Sequence, residues 1–357
     1  MDWKNVLEKA QKGERLTKEE GMSLFEADLL ELGYVANQIC EKVHPEPTRA
    51  FVVDRNINYT NSCYVDCSFC AFAVKPKEKG VYVFSKEEIL EKVKLLVDQG
   101  GTQVLLQGGL NSELPLEYYL DIIRAICERY PQVDVHSFSP TEIDFFSRLY
   151  RMSIKDVFLT LKGAGLKSMP GGGAEILIDR VRNIISPHKI NSENWLKVHE
   201  VAHECGLTTT GTMVFGHVET LEERIEHLIK LRDVQDRSGG FTAFICWSMV
   251  AEGTNLKNIE PANGDEYLRM IAIARLMLDN IKHIQTGWLT EGVNMAQVAL
   301  KFGADDMGGV LMEEKVVAAT DSTAVVTETG PDMVTMIRQA GYQPAQRDTY
   351  YKILRTF

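Results

Sequence analysis

The segment FVVDRNINYTNSCYVDCSFC, residues 51–70, joins a strand-like run to three closely spaced cysteines. Cys63, Cys67 and Cys70 have the spacing C-x₃-C-x₂-C. Thiolates are good ligands for iron–sulfur clusters, and a loop with this spacing can wrap three corners of a 4Fe-4S cubane. Because only three cysteines are local, the fourth iron would stay open to a substrate or cofactor, as the open position of a catalytic zinc site does.

Three other interpretations of the cysteine cluster are available. Chance spacing among packed cysteines is disfavoured because the cluster directly follows the first predicted strand. A structural zinc ion needs four protein ligands, and no further Cys or His follows within a few residues of Cys70. An electron-transfer iron–sulfur protein would not be an enzyme, but this chain of 357 residues is far larger than that task requires. The remaining cysteines are predicted to be packed in helices or a strand; they are Cys40, Cys127, Cys205 and Cys246.

The composition excludes several classes of partner. A formal net charge of -11 and the absence of a basic run give no counterion-release affinity for nucleic acid. The N-terminus is polar and unlike a signal peptide, and no apolar stretch approaches the ~20 residues of a membrane span. Seven cysteines without an export signal favour free thiols in a reducing compartment. We therefore expect a cytoplasmic protein with no membrane or nucleic-acid partner.

About eight strand-then-helix units follow one another along the chain, which predicts a parallel sheet. Eight units indicate an α/β fold of the (βα)₈ TIM-barrel type, and weak signals for the fourth and eighth strands leave an incomplete barrel open. We predict an N-terminal helical extension over 1–49, the barrel over 50–310, and a C-terminal extension of one or two helices over 311–357 that packs on the barrel as a cap.

The unusual residues of the sequence fall at the predicted strand ends, where barrel enzymes carry their chemistry. The cysteine cluster follows the first strand. The residues that follow or end later strands include Gln107, Gly108, Gly109, His136, Gly172, Gly216, His217, Trp247 and Trp288. This distribution predicts one active site at the C-terminal face of the barrel.

The cysteine motif resembles the signature of the radical S-adenosylmethionine (SAM) superfamily, and three further sequence blocks resemble one group within it. Phe69 stands just before the last cysteine, as in the superfamily signature; the other blocks are DRNINYTN at 54–61, CAF at 70–72 and SMPGGGAE at 168–175. Together they are similar to the futalosine-pathway and deazaflavin-pathway group. The resemblance implies a cluster loop after the first strand, SAM bound to the open iron, and an external one-electron donor such as flavodoxin or ferredoxin.

Within that group, DRNINYTN and Thr286-Gly287-Trp288 are most similar to the family that cyclises dehypoxanthine futalosine in menaquinone biosynthesis. This implies a small-molecule substrate, removal of a hydrogen atom by a 5′-deoxyadenosyl radical, addition of the carbon radical to the aromatic ring, and a spiro product. Two sister activities stay open, aminofutalosine synthase and deazaflavin-core synthase.

The same resemblance suggests roles for the residues at the strand ends. The Gln107-Gly108-Gly109 turn resembles the superfamily's GGE-type turn, although Leu110 stands in place of the acid, and Phe69, Gly172, Glu175 and Gly216 are further candidates for binding SAM. Trp247 and Trp288 could stack on an aromatic substrate. His136, His217 and Glu252 are candidate bases. Ordinary turns, rim packing and structural histidines are the alternatives for these positions.

One motif points to a different mechanism. His199-Glu200-Val201-Ala202-His203 has the H-E-x-x-H pattern of zinc peptidases. A third metzincin histidine is missing where Thr209 stands, and a barrel helix lies on the outside, far from the strand ends. We therefore expect this helix to be structural, with a zinc metallopeptidase as the distant alternative function.

Overall fold

The computed structural model describes residues 2–320 and 329–357, which build one large sheet surrounded by helices. The strands are β1 (Thr48–Val52), β2 (Asp54–Asn58), β3 (Gln103–Gln107), β4 (Asp134–Ser137), β5 (Ser168–Met169), β6 (Thr208–Phe215), β7 (Phe241–Ser248), β8 (His283–Gln285), β9 (Asp306–Gly309), β10 (Gln343–Arg347) and β11 (Ile353–Thr356). Neighbours follow the order β11-β10-β1-β9-β8-β7-β6-β5-β4-β3-β2.

Fourteen α-helices lie in the described ranges. Three precede the sheet: α1 (Trp3–Gln11), α2 (Lys18–Ser23) and α3 (Leu29–Val43), with a 3₁₀ turn at Leu24–Glu26. The others are α4 (Lys86–Asp98), α5 (Leu116–Arg129), α6 (Pro140–Tyr150), α7 (Ile154–Ala164), α8 (Asp179–Ile185), α9 (Ser192–Glu204), α10 (Leu221–Ser238), α11 (Gly264–Met277), α12 (Trp288–Glu291), α13 (Val293–Ala299) and α14 (Gly330–Gln339).

The barrel closes at β1 and β2, which follow one another in the chain and are separated only by Val53. β1 pairs in parallel with β9, whereas β2 pairs in parallel with β3. Beyond β9, Arg55 of β2 forms a parallel bridge with Met312, and the Asn56 N–H donates to the Met312 carbonyl at 2.9 Å. Counting β1 and β2 as one bent strand gives eight barrel strands, and the predicted TIM-type fold is confirmed.

Local signals in the sequence set the helix boundaries. Ser85 and Glu88 form a reciprocal capping box at the start of α4, and Thr220 and Glu223 form another at α10. The strand interiors and the helix faces that cover them form one apolar core. No helix in the described part of the chain is long and apolar enough to cross a membrane.

The end of the chain differs from the prediction of helices alone. After α14, β10 pairs in parallel with β1, and β11 pairs antiparallel with β10. The buried Arg347 guanidinium at the end of β10 binds the Asp306 carboxylate of β9 at 2.6 and 2.9 Å. Polar residues in QPAQR concealed this strand from pattern analysis, because its partners are a barrel strand and a buried carboxylate. The bounds of the three predicted regions, 1–49, 50–310 and 311–357, stay predictions.

Candidate active site

Cys63, Cys67 and Cys70 line one cavity at the C-terminal face of the barrel, with a volume of about 300 Å³. We call this cavity the cluster chamber; Gln107 to Gly109, Glu142, Glu175 and Lys189 also line it. All three thiols are free and partly accessible. The loop is fixed by backbone bonds from Cys63 N–H to the Val74 carbonyl at 3.0 Å and from Ser68 N–H to the Ile185 carbonyl at 2.8 Å.

The distances among the three thiols distinguish a single zinc ion from a 4Fe-4S cluster. Thiolates on one tetrahedral zinc ion, with Zn–S bonds of about 2.3 Å, lie about 3.8 Å apart. Over residues 2–320 and 329–357, the one group of three ligand atoms within 4.8 Å of one another is His44, His283 and Asp305, not the cysteines. In a cubane each thiolate binds a different iron, so wider spacing fits a cluster. The donor set therefore fits a 4Fe-4S cluster better than zinc.

The glycine turn after β3 lies directly against the cysteine loop. A Cβ at Gly109 would lie 2.3 Å from the Ser62 carbonyl oxygen and 3.0 Å from Cys63 Cβ, so only glycine allows this approach. The Gly109 N–H also donates to the Thr60 carbonyl at 2.9 Å. The turn and the loop thus form one unit.

Glu142 supports this turn from helix α6. Its Oε1 accepts the Gly108 N–H at 3.1 Å and the Tyr59 hydroxyl at 2.7 Å, and its Oε2 accepts the Ser139 hydroxyl at 2.8 Å. Burial raises the pKa of Glu142 to about 7, although these donors oppose the shift. The cluster chamber therefore contains a carboxyl group whose charge changes near neutral pH.

A largely buried ion pair also lines the cluster chamber. Lys189 Nζ contacts Glu175 Oε1 at 2.9 Å and lies 4.9 Å from the centre of the Phe69 ring. Burial opposes ionisation of Glu175, but Lys189 and then Arg182 lower its pKa overall. The pKa of Lys189 is raised despite burial by nearby Cys67 and Glu175. Glu175 Oε2 lacks a hydrogen-bond partner among the described residues, so it can accept a ligand hydroxyl.

A second cavity of about 320 Å³ adjoins the first. We call it the inner chamber; Asn56, Trp247, Gln285, Trp288 and Gly308 are among its lining residues. The two chambers share walls, which include Asn58, Gln107, Gly172 and Trp247. Trp288 begins α12 rather than ending β8, and its Nε1–H donates to the Gly309 carbonyl at 2.9 Å. A ligand in the inner chamber would lie beside one in the cluster chamber.

Most of the predicted site residues come together at these chambers. The cluster chamber is lined by Cys63, Cys67, Phe69, Cys70, Gln107, Gly108, Gly109, Gly172, Glu175 and Trp247, and the inner chamber also by Trp288. Their assigned roles stay predictions.

The candidate bases and Gly216 lie elsewhere. His136 is buried with Nδ1 2.7 Å from Ser168 Oγ, and burial lowers its pKa to about 3. His217 Nδ1 lies 2.9 Å from one carboxylate oxygen of Glu219, and the other oxygen accepts the Gly216 N–H. Gly216 and His217 therefore belong to a turn that is held by hydrogen bonds to Glu219. Glu252 is exposed at a third cavity. None of the four lines either chamber, so the structure gives no support to their predicted roles.

Sequence reasoning missed Glu142 and Lys189. Glu142 is the third residue after the N-cap Ser139, so S-x-x-E indicates an ordinary capping box, and its second contact, with Gly108, depends on the tertiary fold. Lys189 follows a short helix, α8, in a segment without a motif. The sequence contains one indication that this wall is polar: Glu175 lies two residues after the three glycines at 171–173.

The H-E-x-x-H helix lies away from both chambers. α9 packs on β6, and the Nδ1 of His199 and the Nε2 of His203 lie 2.9 and 2.7 Å from the same Thr209 hydroxyl. Glu200 is paired with Arg237, whose Nη2 lies 2.5 Å away and whose side chain is exposed. These three side chains do not converge on a metal position, in agreement with the structural interpretation.

Comparison with known proteins gives matches over nearly the whole chain. Residues 57–231 match the Radical SAM superfamily, and residues 238–356 match the CofH/MqnC C-terminal region. A cyclic dehypoxanthine futalosine synthase of Halalkalibacterium halodurans is 44% identical over 99% of this chain and 95% of its own length. An aminodeoxyfutalosine synthase of Thermus thermophilus is 39% identical over 99% of this chain and 96% of its own.

A solved structure shows the same fold at low sequence identity. Methylornithine synthase (PylB) superposes with a TM-score of 0.74 at 16% identity, over 95% of this chain and 97% of that chain. This agrees with the barrel described above. The chain is therefore an enzyme of the radical SAM superfamily, in the group that carries the CofH/MqnC C-terminal region, and this membership implies the 4Fe-4S cluster and SAM that the cysteine spacing predicts.

Proposed function

We propose that this enzyme cyclises dehypoxanthine futalosine in futalosine-pathway menaquinone biosynthesis. The observation that carries the proposal is the 44% identity, over 99% of the chain, to a cyclic dehypoxanthine futalosine synthase. Two adjoining chambers, the cluster chamber with the three cysteines and the inner chamber with Trp247 and Trp288, provide separate places for the cofactors and for the substrate.

Side chains on the walls of the cluster chamber are chemically suited to the carboxylate and the ribose of SAM. When bound, the cluster and SAM supply a 5′-deoxyadenosyl radical, and the protein orients and shields it. Cys63, Cys67 and Cys70 would hold three irons. Lys189 is the one basic side chain on the described walls of this chamber and suits the carboxylate of SAM, while Glu175 suits a ribose hydroxyl.

The overall reaction balances with SAM as the stoichiometric oxidant, and it needs no other. One C–C bond forms between the sugar carbon that bears the side chain and the aromatic ring, and the product has two hydrogens fewer than the substrate. One hydrogen leaves in 5′-deoxyadenosine, the other leaves as a proton, and cleavage of SAM to methionine and 5′-deoxyadenosine consumes the released electron. An external one-electron donor such as flavodoxin or ferredoxin, in the cytoplasm, would start the cycle.

The test is anaerobic incubation of the reconstituted enzyme with SAM, a reductant and each candidate substrate, analysed by mass spectrometry. The cyclase should release free 5′-deoxyadenosine and a product two hydrogens lighter than dehypoxanthine futalosine. The second candidate, aminodeoxyfutalosine synthase, rests on the 39% identical relative from Thermus thermophilus. A product that carries the adenosyl group would establish that activity instead and refute the cyclase.

A further inference from the structure

Two amide side chains on β2 point into the barrel with unused hydrogen-bonding capacity. Asn56 and Asn58 are two residues apart on one strand, so they lie on the same face. Arg55, just before Asn56, lies on the other face and pairs with Glu313 at 2.7 Å. Both asparagines are more than nine-tenths buried, at 8% and 7% exposed. The Oδ1 atom of each has no hydrogen-bond partner within residues 2–320 and 329–357.

Buried acceptor atoms without a hydrogen-bond partner lower the stability of the folded protein. A buried acceptor without a partner costs roughly 1–3 kcal/mol, and the great majority of buried polar groups are paired. Two orphaned oxygens side by side therefore need an explanation. Both residues line the inner chamber, and Asn58 also lines the cluster chamber. A ligand in the inner chamber would satisfy both oxygens.

The chemistry of the inner chamber selects the kind of group that binds there. An amide oxygen accepts a hydrogen bond, and an amide nitrogen donates one, so an alcohol hydroxyl can bond with both. The described walls hold no Lys or Arg and one carboxyl group, Glu314, so a carboxylate ligand finds no ion-pair partner. A neutral hydroxylated group suits the chamber better than the benzoate end of the substrate.

The spacing also fits a sugar. The Cα atoms of residues two apart on a strand are about 6.6 Å apart. At this distance two amide side chains can both reach hydroxyls of one five-membered ring. We infer that Asn56 and Asn58 bind ring hydroxyls of the substrate's sugar and so determine its position relative to SAM. This inference rests on the proposed function, because that function supplies a sugar-containing substrate.

Binding measurements test the inference without turnover. The cluster-loaded enzyme is titrated calorimetrically, without reductant, with dehypoxanthine futalosine, with analogues that each lack one ring hydroxyl, and with SAM. Asn56→Leu and Asn58→Leu should each weaken substrate binding about tenfold, the loss expected for one hydrogen bond. Asn56 lines only the inner chamber, so Asn56→Leu should leave SAM affinity within about twofold. The wild type should discriminate against at least one deoxy analogue, and the leucine variant that removes its partner should lose this discrimination.

A stability measurement separates binding from a structural role. Asn56→Leu removes an orphaned oxygen, so this variant should not melt at a lower temperature than the wild type. Asn58→Leu also removes the 3.4 Å hydrogen bond from Asn58 Nδ2 to the Gln107 carbonyl, so the melting test rests on Asn56→Leu. Asn37→Leu is the matched control, because Asn37 Oδ1 is also orphaned but lies on α3, away from the chambers. Its substrate affinity should be unchanged.

Several outcomes would count against the inference or against the proposed function. Wild-type affinity in both leucine variants, or retained discrimination against every deoxy analogue, would overturn it while the proposed function stands. Lower melting temperatures with unchanged affinity would show a structural role for the amides. If the wild type binds dehypoxanthine futalosine but releases no cyclised product, the proposed function fails alone, and if it binds none, both fail.

Discussion

Gly108 and Glu142 connect the catalytic face of the barrel to a titratable group, because the glycine N–H donates to the carboxylate at 3.1 Å. The Tyr59 hydroxyl donates to the same oxygen at 2.7 Å. Glu142→Ala would leave both donors without this acceptor inside the fold. We expect a loss of about 2–4 kcal/mol in unfolding free energy and a higher SAM dissociation constant, measured by denaturant titration and calorimetry. Unchanged SAM affinity would show that the turn does not depend on Glu142.

Glu142 also predicts a pH dependence of stability. Burial raises its pKa from 4.5 to about 7, so the folded state favours the neutral acid. This stabilisation is fully present below pH 4.5 and is lost as the pH rises through 7. Relative to Glu142→Gln, the cluster-free wild type should lose up to about 3 kcal/mol of unfolding free energy between pH 5 and 8. Parallel profiles for the two proteins would contradict this.

The cysteines yield a prediction about metal content. Replacing Cys63, Cys67 or Cys70 by Ala should abolish the cluster and SAM cleavage while the far-ultraviolet circular dichroism stays unchanged, because the loop lies at the rim of the barrel. Cys127→Ala is the control, since this half-buried thiol lies on α5, outside both chambers. Iron and sulfide analysis after anaerobic reconstitution is the measurement. One zinc ion per chain without sulfide would refute the cluster.

The sequence predicts the fold and the cluster loop because both depend on local patterns. Strand and helix periodicity indicates eight units, and three cysteines within eight residues indicate a metal loop. The strand β10 was missed because Arg347 is buried only through its pairing with Asp306, a contact between distant parts of the chain. For the same reason the sequence did not show that His136 Nδ1 lies against Ser168 Oγ, and its role as a base stays a prediction.

Gly109 gives a prediction about the contact between the turn and the cluster loop. In Gly109→Ala the new Cβ would lie 2.3 Å from the Ser62 carbonyl oxygen, which belongs to the backbone and cannot rotate away. The loop must shift, and we expect reconstituted iron to fall to less than about half of the wild-type content, with weaker SAM binding. Gly163→Ala is the matched control: no atom lies within 4 Å of its Cβ, and it should stabilise α7 by up to about 1 kcal/mol. Normal iron content in Gly109→Ala would mean that the loop moves freely.

Substitution of Glu200 distinguishes a radical enzyme from a zinc peptidase more clearly than substitution of the two histidines does. In a zincin the glutamate of H-E-x-x-H is the general base, so its amide variant would be inactive. Here Glu200 Oε1 contacts the exposed Arg237, and the two histidines share the Thr209 hydroxyl. Glu200→Gln should therefore change SAM cleavage less than about twofold and stability by less than about 1 kcal/mol. His199→Ala and His203→Ala should keep SAM-dependent activity at reduced stability, because each removes a contact to Thr209. Loss of a bound zinc ion together with all activity in these variants would contradict the structural assignment.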